Sequence, residues 1–172
     1  GRITGAIHPG SGLPIKLTEN LDEAVIRGIE GAAAIPLGRF VVGLAFTWLR
    51  GDNRQDDEPL AFMPPPEAGI GIGQTTAHGA YWRTALRAVK RQDRVGTRFT
   101  AGTENETPGF VAADALLGWR FGKVGGLSDL RAELRVINLF DRGYHEHLTE
   151  GVSGEELLAP GRSASLSLRG SF

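Results

Sequence analysis

Asp141, His145, Glu146 and His147 crowd into one short polar stretch, and imidazoles beside carboxylates at this spacing suit zinc, copper or iron. In an extended segment His145 and His147 share a face and Glu146 points away, so the candidate metal ligands are His145, His147 and Asp141. Set against that is a purely architectural role, because Asn138 and Asp141 fall where a strand gives way to a loop and their side chains can bond nearby backbone. Met63 is the single methionine, which offers no thioether-lined copper path. A second acidic group, Asp52, Asp56, Asp57 and Glu58, reads either as a cation site or as a solvated loop. Gly69, Gly71 and Gly73 superficially match a dinucleotide loop, yet they alternate with Ile70 and Ile72 as a strand does, and no βαβ pattern surrounds them. Asp114 and Ser163 suggest no Ser, His and acid arrangement without a fold to join them. No catalytic residue and no cofactor is assigned, and the chain is read as a non-enzyme.

The elements that must carry these residues are strands. From Arg162 to Phe172, Ala164, Leu166, Leu168 and Phe172 fall on one face, while Ser163, Ser165, Ser167, Arg169 and Ser171 fall on the other. The same period recurs in strands at roughly 20–35, 39–50, 67–76, 81–91, 110–121, 128–139 and 162–172, preceded by a short stub at 2–8. In the second of these, Phe40, Val42, Leu44, Phe46 and Trp48 oppose the smaller Val41, Gly43, Ala45 and Thr47. Trp82, Leu86 and Ala88 oppose Arg83, Arg87 and Arg91, and Leu130, Ala132, Leu134 and Val136 oppose Arg131, Glu133 and Arg135. Three charges on one face are costly in a dry core but are freely solvated in a watery lumen. The expected lumen-facing residues are therefore Arg83, Arg87, Arg131, Glu133, Arg135 and Arg169, with Asp114 in the same register. The stretch 20–35 is the least clear: Ala32, Ala33 and Ala34 favour a helix, whereas Gly28 and Gly31 oppose one.

Connections alternate in length. Pro36 to Gly38, Ala77 to Ala80 and Gly122 to Leu127 are tight, whereas Gly51 to Pro66, Gln92 to Gly109 and Phe140 to Gly161 are long and polar. Transmembrane barrels have this asymmetry, with short periplasmic turns and long outer loops. Counting back from Phe172 places every short turn on one side. Phe40, Trp82, Trp119, Phe121 and Phe172 then gather near the periplasmic strand ends as an aromatic belt.

Composition agrees with this reading. The 172 residues include 25 glycines and no cysteine, with 23% charged residues and a net charge of −1. Such a balance gives no electrostatic reason to expect nucleic acid as partner. No apolar run is long enough for a transmembrane helix, and Gly1 reads as an internal cut point with no signal segment behind it.

The string Asn138, Leu139, Phe140, Asp141, Arg142, followed by Tyr144 and then Glu146, His147 and Leu148, resembles the signature before the last outer loop of TonB-dependent outer-membrane receptors. Pro160-Gly161-Arg162 and Thr107-Pro108-Gly109-Phe110 resemble the starts of two of that family's strands, Gly28-Ile29-Glu30 its GxE strand motif, and Pro59-Leu60 with Met63-Pro64-Pro65 the end of an outer loop. The resemblance implies an all-β antiparallel barrel segment of about 7 or 8 strands, belonging to a barrel of about 22 whose lumen holds a plug. Residues 1–172 would be the C-terminal part of the barrel domain, with plug domain and TonB box absent. It further implies the outer membrane of a Gram-negative-type bacterium and uptake of a scarce ligand, a ferric siderophore or other metal chelate. The implied partners are outer-membrane lipid, the plug and remaining barrel of the same protein, and the TonB complex. The siderophore or metal-chelate branch rests on loop motifs. Two alternatives stand beside this: a complete eight-strand barrel acting as anchor or adhesin, and a soluble β-sheet binding domain. Residues 2–8, ended by Pro9, are too short for a closing strand of about 9 to 11 residues.

Overall fold

The computed structural model describes residues 2–17, 23–97, 100, 104–150 and 156–172. Twelve strands occur among them, with no helix. Seven long strands form one antiparallel sheet: β3 (Ala24–Leu37), β4 (Phe40–Asn53), β6 (Glu67–Gln74), β7 (Gly79–Val89), β8 (Phe110–Val124), β9 (Leu127–Ile137) and β12 (Ser163–Ser171). They lie in the order β12-β9-β8-β7-β6-β4-β3, so each long strand pairs with the next one along the chain. β5 (Glu58–Pro59) extends the edge of β4 at the long-loop end. β1 (Arg2–Ile7) pairs with β2 (Pro14–Leu17), and β10 (His145–Glu150) pairs with β11 (Glu156–Leu158), each as a separate hairpin.

The stretch 20–35 is strand from Ala24 onward, and its extent is set by pairing: fourteen successive residue pairs run from Ala24 opposite Asn53 to Leu37 opposite Phe40. Tertiary pairing overrides the alanine run here. The stub at 2–8 is one arm of the β1–β2 hairpin, closed by a turn with Gly12 at φ 69° and a bond from His8 N to Leu13 O. The tight turn drawn at Gly122 begins later. β8 runs on to Val124, with irregular pairing around Gly122 at φ 76°, and the turn is made by Gly125 and Gly126. β3 and β12 occupy opposite edges of the sheet, so the described strands form an open wall and not a closed eight-strand barrel.

The register sorts the side chains cleanly. Ile70, Ile72, Leu86, Leu117, Trp119, Leu134, Leu166 and Leu168 share one face with Phe46 and Trp48, and all ten are exposed. Phe40 and Trp82 pack with ring centroids 6.1 Å apart at the short-turn end of that face. The other face carries Arg83, Arg87, Arg131, Glu133, Arg135 and Arg169 together with Arg120 and Asp114. A soluble domain would bury its apolar face; here only Met63, Tyr81, Val89, Phe110 and Ala113 are buried hydrophobics among the described residues.

One cross-strand strut fixes the middle of the polar face. Tyr81, Gly118 and Glu133 lie in one row across β7, β8 and β9. The Tyr81 ring passes over Gly118, and its hydroxyl donates to Glu133 Oε1 at 2.7 Å. A Cβ on Gly118 would sit 2.2 Å from Tyr81 Cζ, so only glycine leaves the ring its path. Gly118→Val should therefore destabilise the wall by about 1–3 kcal/mol, the usual cost of overpacking. Urea titration of the refolded protein in detergent checks this, and an unchanged midpoint would rule out the strut.

Candidate functional site

The long loops at one end of the sheet are knit together by a buried polar centre. Glu104, on the loop between β7 and β8, has its side chain 1% exposed. Its Oε1 accepts from Phe62 N at 2.7 Å, on the loop after β4, and lies 3.1 Å from His147 Nε2 on β10. Its Oε2 accepts from Gly96 N at 2.6 Å. One carboxylate thus joins all three loops. His147, with its side chain 2% exposed, also meets Thr107 Oγ1 through Nδ1 at 3.1 Å, and Thr107 exchanges two backbone bonds with Gln92. Gln92 Nε2 in turn donates to Met63 O at 2.7 Å.

A second junction sits below it, at the mouth of the polar face. Arg87 donates to Glu67 Oε2 at 2.6 and 2.9 Å and to both oxygens of Glu146, so β6, β7 and β10 meet on one guanidinium. The guanidinium carbon lies 5.4 Å from the Phe110 ring centroid, and Phe110 stacks on Tyr144 at 4.0 Å. Burial, then the Glu146 charge, pushes the Tyr144 phenol above its usual value.

Asn138 is the third junction. Only 3% exposed and at φ 51°, it accepts from Arg142 N through its side-chain oxygen and donates from Nδ2 to Arg142 O and Pro160 O. Its own N donates to Asp114 Oδ1 at 3.0 Å. Asp141 Oδ1 accepts from Arg162 N at 2.7 Å, where a Cβ on Gly161 would come within 3.0 Å. A Cβ on Gly109 would lie 2.7 Å from Arg91 N, so that glycine lets the backbone of one strand pass close to the next.

The string from Asn138 to Leu148 is therefore joinery. Among the described residues no group of three His, Asp or Glu side chains converges there: Asp141 bonds Arg162 N, and His147 bonds Glu104 and Thr107. The reason is register, since Asp141 belongs to the β9 exit and His147 to the loop hairpin. Leu139 and Phe140 are exposed, as is Leu148. The acidic group 52–58 is likewise divided. Asp52 takes Arg50 and Arg94, Asp56 takes Asn53, and Glu58 takes Thr97 through both its N–H and its hydroxyl. Sequence reasoning missed Glu104, which stands among loop residues whose pattern carries no period. Its partners Phe62 and His147 lie 42 and 43 residues away along the chain.

The polar wall below is strongly cationic. Arg120, Arg131 and Arg169 form one cross-strand row, and Arg83 and Arg135 flank Leu116 in the next but one. Among the described residues, Asp129 lies 3.9 Å from both Arg120 and Arg131, and Glu133, one row on, is already bonded to Tyr81.

A family model described as TonB dependent receptor-like, beta-barrel, matches residues 2–139. The chain belongs to the TonB-dependent receptor β-barrel family. A solved structure named copper transporter OprC has the same fold, with a TM-score of 0.73 and 25% identity over 84% of this chain. The chain spans 22% of that protein's length, and the open wall is accordingly a segment of a larger barrel. No curated protein matches it. Membership places this TonB-dependent receptor segment in the Gram-negative outer membrane, with the bare apolar face against lipid.

Glu104→Ala would strand the donors at Phe62, Gly96 and His147, the buried ones worth about 1–3 kcal/mol each. Amide exchange at Phe62 and Gly96 should accelerate by about one to two orders of magnitude, while amides in the middle of β8 keep their protection. Equal acceleration throughout, or none at Phe62, would contradict the hub.

Proposed function

We propose that the chain forms part of the wall of a TonB-dependent uptake receptor, with the arginine face turned to the lumen and the three joined loops at the outer mouth. Residues 1–172 are then the C-terminal part of the barrel domain. The rest of the same protein supplies the remaining strands and the plug, and the TonB complex delivers energy through the plug-bearing part.

For the cargo we propose an anionic metal chelate of the ferric-siderophore class. The observation that carries this is the charge of the polar face, where Arg83, Arg120, Arg131, Arg135 and Arg169 outnumber the acids facing them. Cationic walls raise the local concentration of anions by about 10-fold or more. Copper, the cargo named for the related transporter, is the second reading. Against it, soft copper favours thioether and imidazole ligands, whereas the single methionine of this chain is buried under the outer loops and His147 is taken by Glu104.

The test is uptake by a strain whose only source of the protein is a plasmid copy of the full-length gene. Labelled ferric siderophore should enter only with the receptor and TonB both present, and Arg83→Glu with Arg135→Glu should cut the initial rate roughly tenfold at low salt. Copper uptake without ferric-chelate uptake would replace the cargo but keep the receptor. Uptake independent of TonB would overturn the reading as a whole.

A further inference from the structure

The apolar face is not uniformly apolar: its long-loop end carries a rim of cations. Arg27 on β3 and Arg50 on β4 are direct cross-strand partners on that face, one step beyond Trp48. Lys90 follows β7 in the parity of Leu86 and Ala88, and Arg142 comes from the loop after β9. Lys90 and Arg142 line an open depression of about 660 Å³ together with Phe46, Trp48, Ala68 and Val111, and the one acid in its lining, Glu67, is held by Arg87. Phe46, Ala68 and Val111 also line a second depression of about 640 Å³, which runs down the sheet over Leu44, Ile70 and Leu86. Beside Lys90 a cleft of about 170 Å³ lies between Trp48, Arg50, Asp93 and Arg94.

The charges there are unevenly matched. Asp52 holds both Arg50 and Arg94, whereas Arg27, Lys90 and Arg142 have no ion-pair partner among the described residues. Lys90 stands roughly 13 Å along the strand from Leu86, at about 3.3 Å per residue. The groove therefore lies within the hydrocarbon and its cations at headgroup depth. Only a lipid reaches both places.

We propose that this end of the wall is a binding site for a phosphorylated lipid of the outer leaflet. Its acyl chain lies in the groove over Leu86 and Val111, and its phosphate sits against Lys90 and Arg142, with Arg27 and Arg50 extending the cationic rim. The proposal rests on the outer-membrane placement and is independent of the cargo.

The experiment uses the full-length protein, delipidated in a neutral detergent and titrated with diphosphorylated lipid A carrying brominated acyl chains. Native mass spectrometry reads the bound lipid, and quenching of tryptophan fluorescence reads its approach to Trp48. Lys90→Ala and Arg142→Ala should each weaken binding roughly fivefold and together about 25-fold. Ala88→Phe, which fills the groove without touching a charge, should also reduce binding. Lys123→Ala, at the short-turn end, should not. Unchanged binding in the Lys90 and Arg142 double variant overturns the site, as does equal binding of dephosphorylated lipid A. Displacement of the brominated lipid by inorganic phosphate with Ala88→Phe silent would overturn it in favour of a simple anion site.

Discussion

In hydrocarbon no water is available to satisfy a peptide group, and that single constraint shapes this wall. Every long strand bonds its sequence neighbour, which lets short turns do the connecting on one side. Once the backbone is settled, the two faces are free to differ completely. One dissolves in lipid and exposes leucine, isoleucine and tryptophan side chains that a water-soluble sheet would have to hide. The other holds a row of arginines that a dry interior would not tolerate.

The loops obey a different rule. Away from the bilayer, backbone groups could bond water, yet here many bond to buried side chains. Glu104, Arg87 and Asn138 each take partners from two or three separate segments. The result is an outer mouth organised by polar centres, where an ordinary domain would use apolar packing. Charge-assisted bonds in such places are strong only because water is excluded from them.

What the amino-acid order made legible follows from this difference. The strands carry a strict period of two, so β4, β7, β9 and β12 could be read almost residue by residue, and the arginine face with them. Gly38 and Gly125, at positive φ in the tight turns, were legible because so few residues adopt that conformation. Asn138 and Asp141 were readable as backbone-bonding residues at a strand exit. β5, β10 and β11 were not, being short, polar and dependent on loop contacts for their existence. Glu104 left no trace, because a carboxylate that will be buried looks the same in sequence as one that will be solvated. The imidazoles near it suggested metal chemistry for the same reason: spacing along the chain says nothing about which segment will supply the bonding partner.

The shared carboxylate of Glu104 also bears on how such a mouth changes over generations. Three loops that answer to one buried group form a single heritable unit. A segment exchanged for a relative's at 54–66 alone arrives without an amide placed for Glu104, and one exchanged at 138–162 alone arrives without its imidazole. Diversification of the mouth is thereby channelled to residues that point away from the hub, or to wholesale replacement of all three loops together. Recombination that respects this boundary keeps a folded rim, and recombination that cuts across it leaves the buried carboxylate one partner short.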